Sequence, residues 1–271
     1  MNLTSPSQVK TWCIENGFHP NRVMGQNFLV DQNVLKAIVD AGLEGCGFAG
    51  GEVLEIGPGL GVLTEELLKR GYKVTAIEKD PVLASRLKEA LGNPSNLTVI
   101  EGDALDLISS TRQPCNLQLR DFSLMISNLP YQVGTRILLE LAMRREQKSM
   151  TVLVQTEVAE RLVAGPGTKA RSLAGVWAQL DYDVKIVRKV AASCFWPRPE
   201  IGSSVVRLDR HDRNIAISAE ERKVFHRLTK QAFEHRRKQL GSIFKDLVQS
   251  TARAEELSNE DWITLTKGIM Q

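Results

Sequence analysis

Short apolar runs alternate with amphipathic segments between residues 50 and 208. Amphipathic segments with apolar residues every three or four positions predict helices. The runs richest in Val, Ile and Leu predict strands at Val53–Leu54, Lys73–Ile77, Leu97–Ile100, Ser123–Ser127 and Thr151–Gln155. The predicted helices between and after them span Val62–Arg70, Asp80–Leu91, Val133–Met143 and Glu157–Val163. Strand and helix in alternation predict an α/β fold with a largely parallel sheet.

The flanking segments add further elements to this pattern. Before the first strand, a short helix is expected near Ser7–Glu15, and Asp31 is placed to cap a helix over Gln32–Ala41. After the last predicted parallel strand, the pattern favours a helix over Arg171–Tyr182. It then predicts a strand pair at Val184–Val190 and Ser203–Leu208.

The character of the chain changes at residues 209–214, which are mostly charged. Beyond them every strong periodicity is helical, and Ser218 followed by two glutamates is typical of a helix start. We therefore predict two domains, residues 1–208 and a small all-helical C-terminal domain at residues 209–271. The second domain carries seven cations between residues 222 and 238, against a single Glu234.

Composition narrows the class of protein only slightly. The 271 residues are 42% hydrophobic and 25% charged, as in an ordinary globular protein, and the net charge of +3 does not by itself indicate nucleic-acid binding. The four cysteines stand singly, which predicts neither a metal site nor disulfides and favours a reducing, cytoplasmic location. The N-terminus has no signal-peptide pattern, and no apolar run is long enough for a membrane span.

The glycine turn after the first α/β strand carries the first candidate chemistry. Glu55 precedes Gly57, Gly59 and Gly61 in a G-x-G-x-G spacing that differs from the dinucleotide fingerprint. A carboxylate beside the turn disfavours a pyrophosphate but suits a ligand with an amino group and a sulfonium. Glu78, at the end of the next strand, is placed to hold ribose hydroxyls. This combination resembles the S-adenosylmethionine site of a class I methyltransferase.

Two further strand ends carry polar groups. Asp103 is placed to accept a hydrogen bond from an adenine amino group. Asn128-Leu129-Pro130-Tyr131 offers the Asn128 side-chain carbonyl and the Leu129 backbone carbonyl as acceptors for an exocyclic amino group. Tyr131 offers a flat face on which a flipped base can stack. We predict direct methyl transfer to a base nitrogen, driven by positioning and without a strong general base.

Seven segments, in this order along the chain, resemble the KsgA-type ribosomal RNA adenine dimethyltransferases, which act on small-subunit RNA. They cover residues 25 to about 240. The segments are Gly25–Leu29, Glu55–Gly61, Gly102–Ala104, Asn128–Tyr131, Gln155–Leu162, Phe195–Pro199 and Phe233–Lys238. The resemblance implies a Rossmann-like, seven-stranded methyltransferase sheet that binds S-adenosylmethionine. It also implies that a pair of adjacent loop adenosines in small-subunit ribosomal RNA is dimethylated, within an assembling subunit.

The resemblance also assigns residues to the cofactor. It implies that Asn27 and Leu29 line the cofactor pocket, that Gly57 holds the methionine part, and that Asn128 serves both cofactor and substrate. Glu78 and Asp103 keep the ribose and adenine roles given above, and Gly59 lies in the same turn. The predicted RNA contacts are the cations Arg198, Lys223, Arg227, Lys230, Arg236, Arg237 and Lys238.

Several alternatives stay open at this point. A related methyltransferase of the macrolide-resistance type, acting on large-subunit RNA, shares the cofactor motifs. A non-catalytic assembly factor with the same fold is disfavoured by the intact Asn128 and Tyr131. A NAD-dependent oxidoreductase is disfavoured by the glycine spacing. A Ser/His/Asp hydrolase is disfavoured because the four histidines lie outside the strand-end motifs.

Overall fold

The computed structural model describes residues 1–21, 24–45, 50–109, 118–214, 217–245 and 248–270. The strands are β1 Phe28–Leu29, β2 Glu52–Ile56, β3 Lys73–Glu78, β4 Leu97–Glu101, β5 Leu124–Asn128, β6 Ser149–Gln155, β7 Tyr182–Val190, β8 Phe195–Trp196 and β9 Ser203–Arg210. The helices are α1 Pro6–Glu15, α2 Gln32–Leu43, α3 Val62–Lys69, α4 Pro81–Ala90, α5 Ala104–Ser109, α6 Gly134–Arg144, α7 Thr156–Val163, α8 Leu173–Gln179, α9 Ala219–Glu234, α10 Leu240–Phe244 and α11 Asn259–Met270.

Seven of these strands form one sheet in the order β4-β3-β2-β5-β6-β9-β7. Strands β2 to β6 run parallel to one another, and β9 runs antiparallel to β6. Strands β5 and β6 are buried along almost their whole length, as expected for parallel strands covered on both faces. The predicted α/β class, the seven-stranded sheet and the pairing of the last two strands are confirmed.

The sheet order reverses between β2 and β5. The chain moves outward from β2 through β3 to β4 and then returns to add β5 on the other side of β2. In open α/β sheets, ligands bind beyond the carboxyl ends of the strands at such a reversal. The glycine turn follows β2 and Asn128 ends β5, so the topology brings these two motifs to the same place.

A second, two-stranded sheet joins β1 to β8. Phe28 pairs with Trp196 and Leu29 with Phe195, and the Val30 amide donates to the Cys194 carbonyl at 2.8 Å. Two-residue strands are too short to show a periodicity, so the sequence did not predict them. The pairing holds the segment around Asn27 against residues more than 160 positions later in the chain.

The described chain folds as two compact units, residues 1–159 with 185–209, and residues 160–184 with 210–271. The last point at which the chain passes from the first unit to the second coincides with the predicted boundary near residue 209. Residues 160–184, however, cluster with the C-terminal helices. Val176 and Leu180 share a buried core with Phe225, Leu228 and Trp262. The prediction of one domain boundary did not include residues 160–184 in the second unit, because the composition of the chain changes only at residue 209. The core of the second unit also contains apolar residues from earlier in the chain.

The predicted helix over Arg171–Tyr182 was too long. The structure has α8 only over Leu173–Gln179, and Tyr182 begins β7. Arg171 is 1% exposed, and its guanidinium donates to the Ala164 carbonyl, Gln179 Oε1 and Asn259 Oδ1. A buried cation needs such acceptors. The helix begins after Arg171 because Ser172 caps it by accepting from the Gly175 amide.

Candidate active site

A cavity of about 380 Å³ lies in the first unit at the carboxyl ends of β2 and β5. This volume falls within the usual range for small-molecule sites. The cavity brings together seven of the predicted residues: Asn27, Leu29, Gly57, Gly59, Glu78, Asn128 and Leu129. The N-terminal segment, the glycine turn, the end of β3 and the loop after β5 each supply part of its wall.

Left-handed glycines form the turn after β2. Gly57 and Gly59 have φ of 68° and 58°, a region that L side chains rarely adopt. The Gly57 amide donates to the Ile77 carbonyl at 2.9 Å, and the Gly59 amide donates to Glu78 Oε2 at 3.0 Å. A Cβ on Gly59 would lie 3.0 Å from the ring of Phe28. The turn therefore connects β2 to the end of β3, and a side chain at Gly59 would press on the Phe28 ring.

Glu78 is a buried carboxylate at the end of β3. Its Oε1 accepts from the Asp80 amide at 2.9 Å, and its other oxygen accepts from Gly59. Burial raises the pKa of Glu78, and these backbone hydrogen bonds oppose the rise because they stabilise the ionised form. Asp80 in turn caps α4 by accepting from the Val82 and Leu83 amides.

Glu55 also lines the cavity and is 1% exposed. Its Oε2 accepts from Thr64 Oγ1 at 2.7 Å. Burial raises the pKa of Glu55 to about 8, the Thr64 hydrogen bond lowers it, and the nearby charge of Glu78 adds to the rise. The site thus contains a carboxyl group that favours its neutral form at neutral pH.

The side chain of Asn128 is oriented by the N-terminal segment. Its Nδ2 donates to the Asn27 carbonyl at 3.1 Å. A Cβ on Gly25 would lie 3.1 Å from the Tyr131 amide nitrogen, so the two segments approach closely. On the loop itself, the Leu129 amide donates to the Leu153 carbonyl and the Gly134 amide to the Pro130 carbonyl. Because the donor end of Asn128 is engaged, its side-chain oxygen remains as the acceptor.

Tyr131 and Asp103 are not among the described residues that line the cavity. The Tyr131 hydroxyl shares a 2.6 Å hydrogen bond with Ser203 Oγ, and the Tyr131 ring meets Phe195 edge-on at 6.4 Å. Asp103 accepts from Lys79 Nζ at 2.7 Å, and this hydrogen bond is the main reason that the pKa of Asp103 is lowered. Lys79 does line the cavity, so Asp103 is linked to the cavity through that cation.

The predicted RNA contacts lie in both units. Arg198 is exposed between β8 and β9 in the first unit. Lys223, Arg227 and Lys230 are exposed on α9 in the second unit, and Lys223 pairs with Glu220 at 2.7 Å.

The remaining three predicted contacts, Arg236, Arg237 and Lys238, follow the end of α9. Arg236 is half-buried and donates to the Glu255 carboxylate and to the Lys169 carbonyl, whereas Arg237 and Lys238 are exposed.

Sequence reasoning missed two contacts near the cavity. Gln26 Nε2 donates to Asp80 Oδ2 at 2.8 Å, and Gln26 Oε1 accepts from the Asn21 amide at 2.7 Å. Ser203, which is fully buried, holds the Tyr131 hydroxyl. Neither the Gln26–Asp80 contact nor the Ser203–Tyr131 contact had a local signal, because each joins residues more than 50 positions apart in the chain.

The described residues show neither a metal site nor a membrane-spanning helix. In the described ranges no three His, Cys, Asp or Glu side chains are grouped as a metal site would require. No helix formed by the described residues has the length and apolarity to cross a membrane.

The sheet order, the reversal between β2 and β5 and the glycine turn at the cavity define the fold of the class I S-adenosylmethionine-dependent methyltransferases. Residues 17–267 match the family model of the ribosomal RNA adenine dimethylases. The chain belongs to this family.

Individual relatives agree with this assignment. The chain is 45% identical to ribosomal RNA small subunit methyltransferase A of Deinococcus radiodurans, over 76% of this chain and 67% of the relative. It is 38% identical to the protein of that name from Alkaliphilus oremlandii, over 88% and 82% of the two chains. Its structure is similar to a dimethyladenosine transferase from Plasmodium falciparum, with a TM-score of 0.72, 25% identity and coverage of 88% and 95%.

Proposed function

We propose that this enzyme transfers methyl groups from S-adenosylmethionine to the exocyclic amino groups of two adjacent adenosines in a loop of small-subunit ribosomal RNA. Each adenosine receives two methyl groups. The reaction takes place in the cytoplasm on an assembling small subunit. The observation that carries the proposal is the oriented Asn128 amide beside the cavity, in a chain whose relatives are named for small-subunit methylation.

The residues at the cavity suit this cofactor. Glu55 and Glu78 supply two carboxyl groups for a ligand with a sulfonium and an ammonium, and Glu78 lies where ribose hydroxyls are held in this fold. Gly57 and Gly59 let the backbone approach the ligand closely. Leu29 and Leu129 form apolar parts of the cavity wall. S-adenosylmethionine supplies the activated methyl group.

The chain's own contribution to the chemistry is positioning. An exocyclic amino nitrogen is a weak nucleophile because its lone pair is delocalised into the ring. The Asn128 side-chain oxygen and the Leu129 carbonyl accept the amino hydrogens, which draws the nitrogen toward tetrahedral geometry. Asn27 is a positioning residue, because its carbonyl engages the donor end of Asn128 and leaves the acceptor end for the base.

Tyr131 is proposed as the stacking surface for the flipped adenine. Its hydroxyl is held by Ser203 and its ring by the edge contact with Phe195, so the ring plane is set before a base arrives. Adding two methyl groups requires that one of the two amino contacts be dispensable in the second round, since a monomethylated amine has one hydrogen left.

The second unit is proposed to bind RNA phosphates. A cleft of about 610 Å³ in this unit is lined by four cations, Arg161, Lys169, Lys230 and Arg236, against one carboxylate, Glu234, and by Phe233. Cations that border an aromatic ring suit a backbone phosphate next to an unstacked base. Arg237 and Lys238 add two exposed positive charges just after the end of α9.

The test uses purified small and large ribosomal subunits that lack their own adenine dimethylation, incubated with methyl-labelled S-adenosylmethionine and the full chain. After exhaustive reaction, digestion and mass spectrometry should show label as dimethyladenosine at two adjacent positions of small-subunit RNA. Label confined to large-subunit RNA would contradict the small-subunit substrate. Monomethyladenosine as the final product would contradict the double transfer.

A further inference from the structure

Two buried carboxyl groups line the cavity, and the described residues of its wall supply one cation to balance their charge. Among the described residues that line it, the titratable side chains are Glu55, Glu78 and Lys79. The Lys79 ammonium is engaged by Asp103 at 2.7 Å. Within the ranges that the structure describes, no cation forms an ion pair with Glu55. The Glu55 carboxyl instead accepts a hydrogen bond from the neutral Thr64 hydroxyl.

An ionised Glu55 side chain has a high free-energy cost in the empty cavity. Burying an ionised group without a counter-charge is strongly unfavourable, and the group neutralises instead by keeping its proton. Glu78 adds a second carboxyl group to the same cavity, whereas two backbone amides favour ionisation of Glu78 itself. Among the residues that the structure describes, no backbone amide donates to the Glu55 carboxyl group, so the empty cavity holds its proton there. The pKa of about 8 for Glu55 agrees with this geometry.

We propose that Glu55 is a proton-coupled sensor of cofactor charge: it is neutral in the empty cavity and becomes a carboxylate, releasing its proton to water, when a cationic cofactor occupies the site. This inference rests on the proposed function, since it requires that S-adenosylmethionine binds in this cavity. The proton on the Glu55 carboxyl goes to the bulk solvent, and the carboxylate left behind balances the positive charge that enters.

The proposal predicts the pH range in which cofactor binding releases a proton. Near pH 7 most Glu55 side chains carry a proton in the empty site, because their pKa is about 8. A nearby opposite charge lowers a carboxyl pKa by about 1–3 units. Cofactor binding near pH 7 should therefore release about 0.4 to 0.9 proton per site, and more protons for a larger pKa shift. Affinity should rise by up to about tenfold per pH unit as the pH increases toward 8, and then level off.

Calorimetry measures this release directly. Titration of S-adenosylmethionine into the full chain at pH 7, in phosphate and in Tris, gives the number of protons released from the difference in heat between buffers. The wild-type protein is expected to release about 0.4 to 0.9 proton. The isosteric variant Glu55→Gln should release none, and Glu52→Gln, which changes an exposed carboxyl on the same strand, should behave as wild type.

A second variant keeps the test decisive if Glu55→Gln does not fold. Thr64→Val removes the hydrogen bond that stabilises the Glu55 carboxylate while preserving shape. At pH 8 its proton release should exceed that of the wild type, which can be at most about half a proton because free Glu55 is then half protonated. Equal release at pH 8 in wild type and Thr64→Val, or equal release at pH 7 in wild type and Glu55→Gln, would overturn the inference. Absence of S-adenosylmethionine binding by the wild type would overturn the proposed function instead.

Discussion

Gly59 illustrates how one residue is constrained by both backbone and space. Its φ of 58° is unfavourable for a branched side chain, and a Cβ would press on the Phe28 ring at 3.0 Å. We expect Gly59→Val to weaken S-adenosylmethionine binding by at least about tenfold, as measured by calorimetry. Gly71→Val is the matched control, because Gly71 also has a positive φ but no atom within 4 Å of its would-be Cβ. Equal affinity in wild type and Gly59→Val would remove this turn from the cofactor site.

Asn128 carries the largest expected effect on rate. Removing its side-chain acceptor in Asn128→Ala should lower the single-turnover methylation rate by about 10²–10³. RNA affinity should be nearly unchanged, because the predicted phosphate contacts lie elsewhere. Rapid-quench kinetics and filter binding separate the two quantities. A near-normal single-turnover rate would exclude Asn128 from the mechanism.

His226 is a buried residue that should make the stability of the protein depend on pH. It lies edge-on to Trp177 at 4.9 Å, and its Nδ1 is buried without a hydrogen-bond partner among the described residues. Burial, and secondarily the charge of Arg222, lower the pKa of His226 to about 4, while Asp181 opposes this. The unfolded chain therefore binds a proton at this position between about pH 6.5 and 4, whereas the folded protein does not.

The sign of the effect follows from that difference. The contribution of neutral His226 to stability is fully present above about pH 6.5 and is lost as the pH falls toward 4, by at most about 3 kcal/mol. Urea unfolding of wild type and His226→Gln at pH 7 and pH 4.5, followed by tryptophan fluorescence, tests this. The wild type should lose more stability on acidification than the variant. Parallel losses would contradict the assignment.

At the scale of the element, α2 depends on its cap. Asp31 Oδ1 accepts from the Asn33 and Val34 amides, both at 2.9 Å, as the sequence predicted. Asp31→Ala should destabilise the protein by about 0.5–2 kcal/mol, because two amides at the helix start lose their acceptor. Denaturant unfolding measures the change. Asn33→Ala, at an exposed position in the first turn of α2, serves as the control and should change stability by less than about 0.5 kcal/mol.

The β1 and β8 pair shows how a short element can position a site. Backbone pairing of Phe28 with Trp196 fixes the segment whose Asn27 carbonyl orients Asn128. Gln26 adds a second attachment through Asp80. The N-terminal segment is therefore a structural part of the cavity wall, and its cofactor role stays a prediction.

At the scale of the whole molecule, RNA affinity is predicted to come mainly from phosphate contacts in the second unit. Replacing Arg237 and Lys238 by glutamine should reduce the slope of log affinity against log salt concentration by about 0.7–0.9 for each phosphate that the variant no longer neutralises. Both side chains are exposed, so folding should be unaffected. Replacing the exposed Lys10 and Lys36 removes equal charge from the first unit as a control. An unchanged slope in the Arg237 and Lys238 variant would place the RNA on another surface.

The sequence by itself determined the features that depend on local spacing. The alternation of strands and helices, the cap at Asp31 and the left-handed glycine turn are encoded by residues close together in the chain. The sequence also indicated that the glycine turn and Asn128 both follow carboxyl ends of parallel strands, and the order in which the structure places β2 and β5 brings them side by side.

Only the tertiary structure decided the features that depend on distant contacts. The recruitment of residues 160–184 into the second unit requires a core shared with α9 and α11, and the hydrogen bond between Tyr131 and Ser203 spans 72 positions. Glu55 is the clearest case. Its place before the glycines was visible in the sequence, but its neutral state arises from burial and from the absence of a paired cation among the described residues. Desolvation depends on every atom packed around a group, and no local pattern of residues specifies that environment.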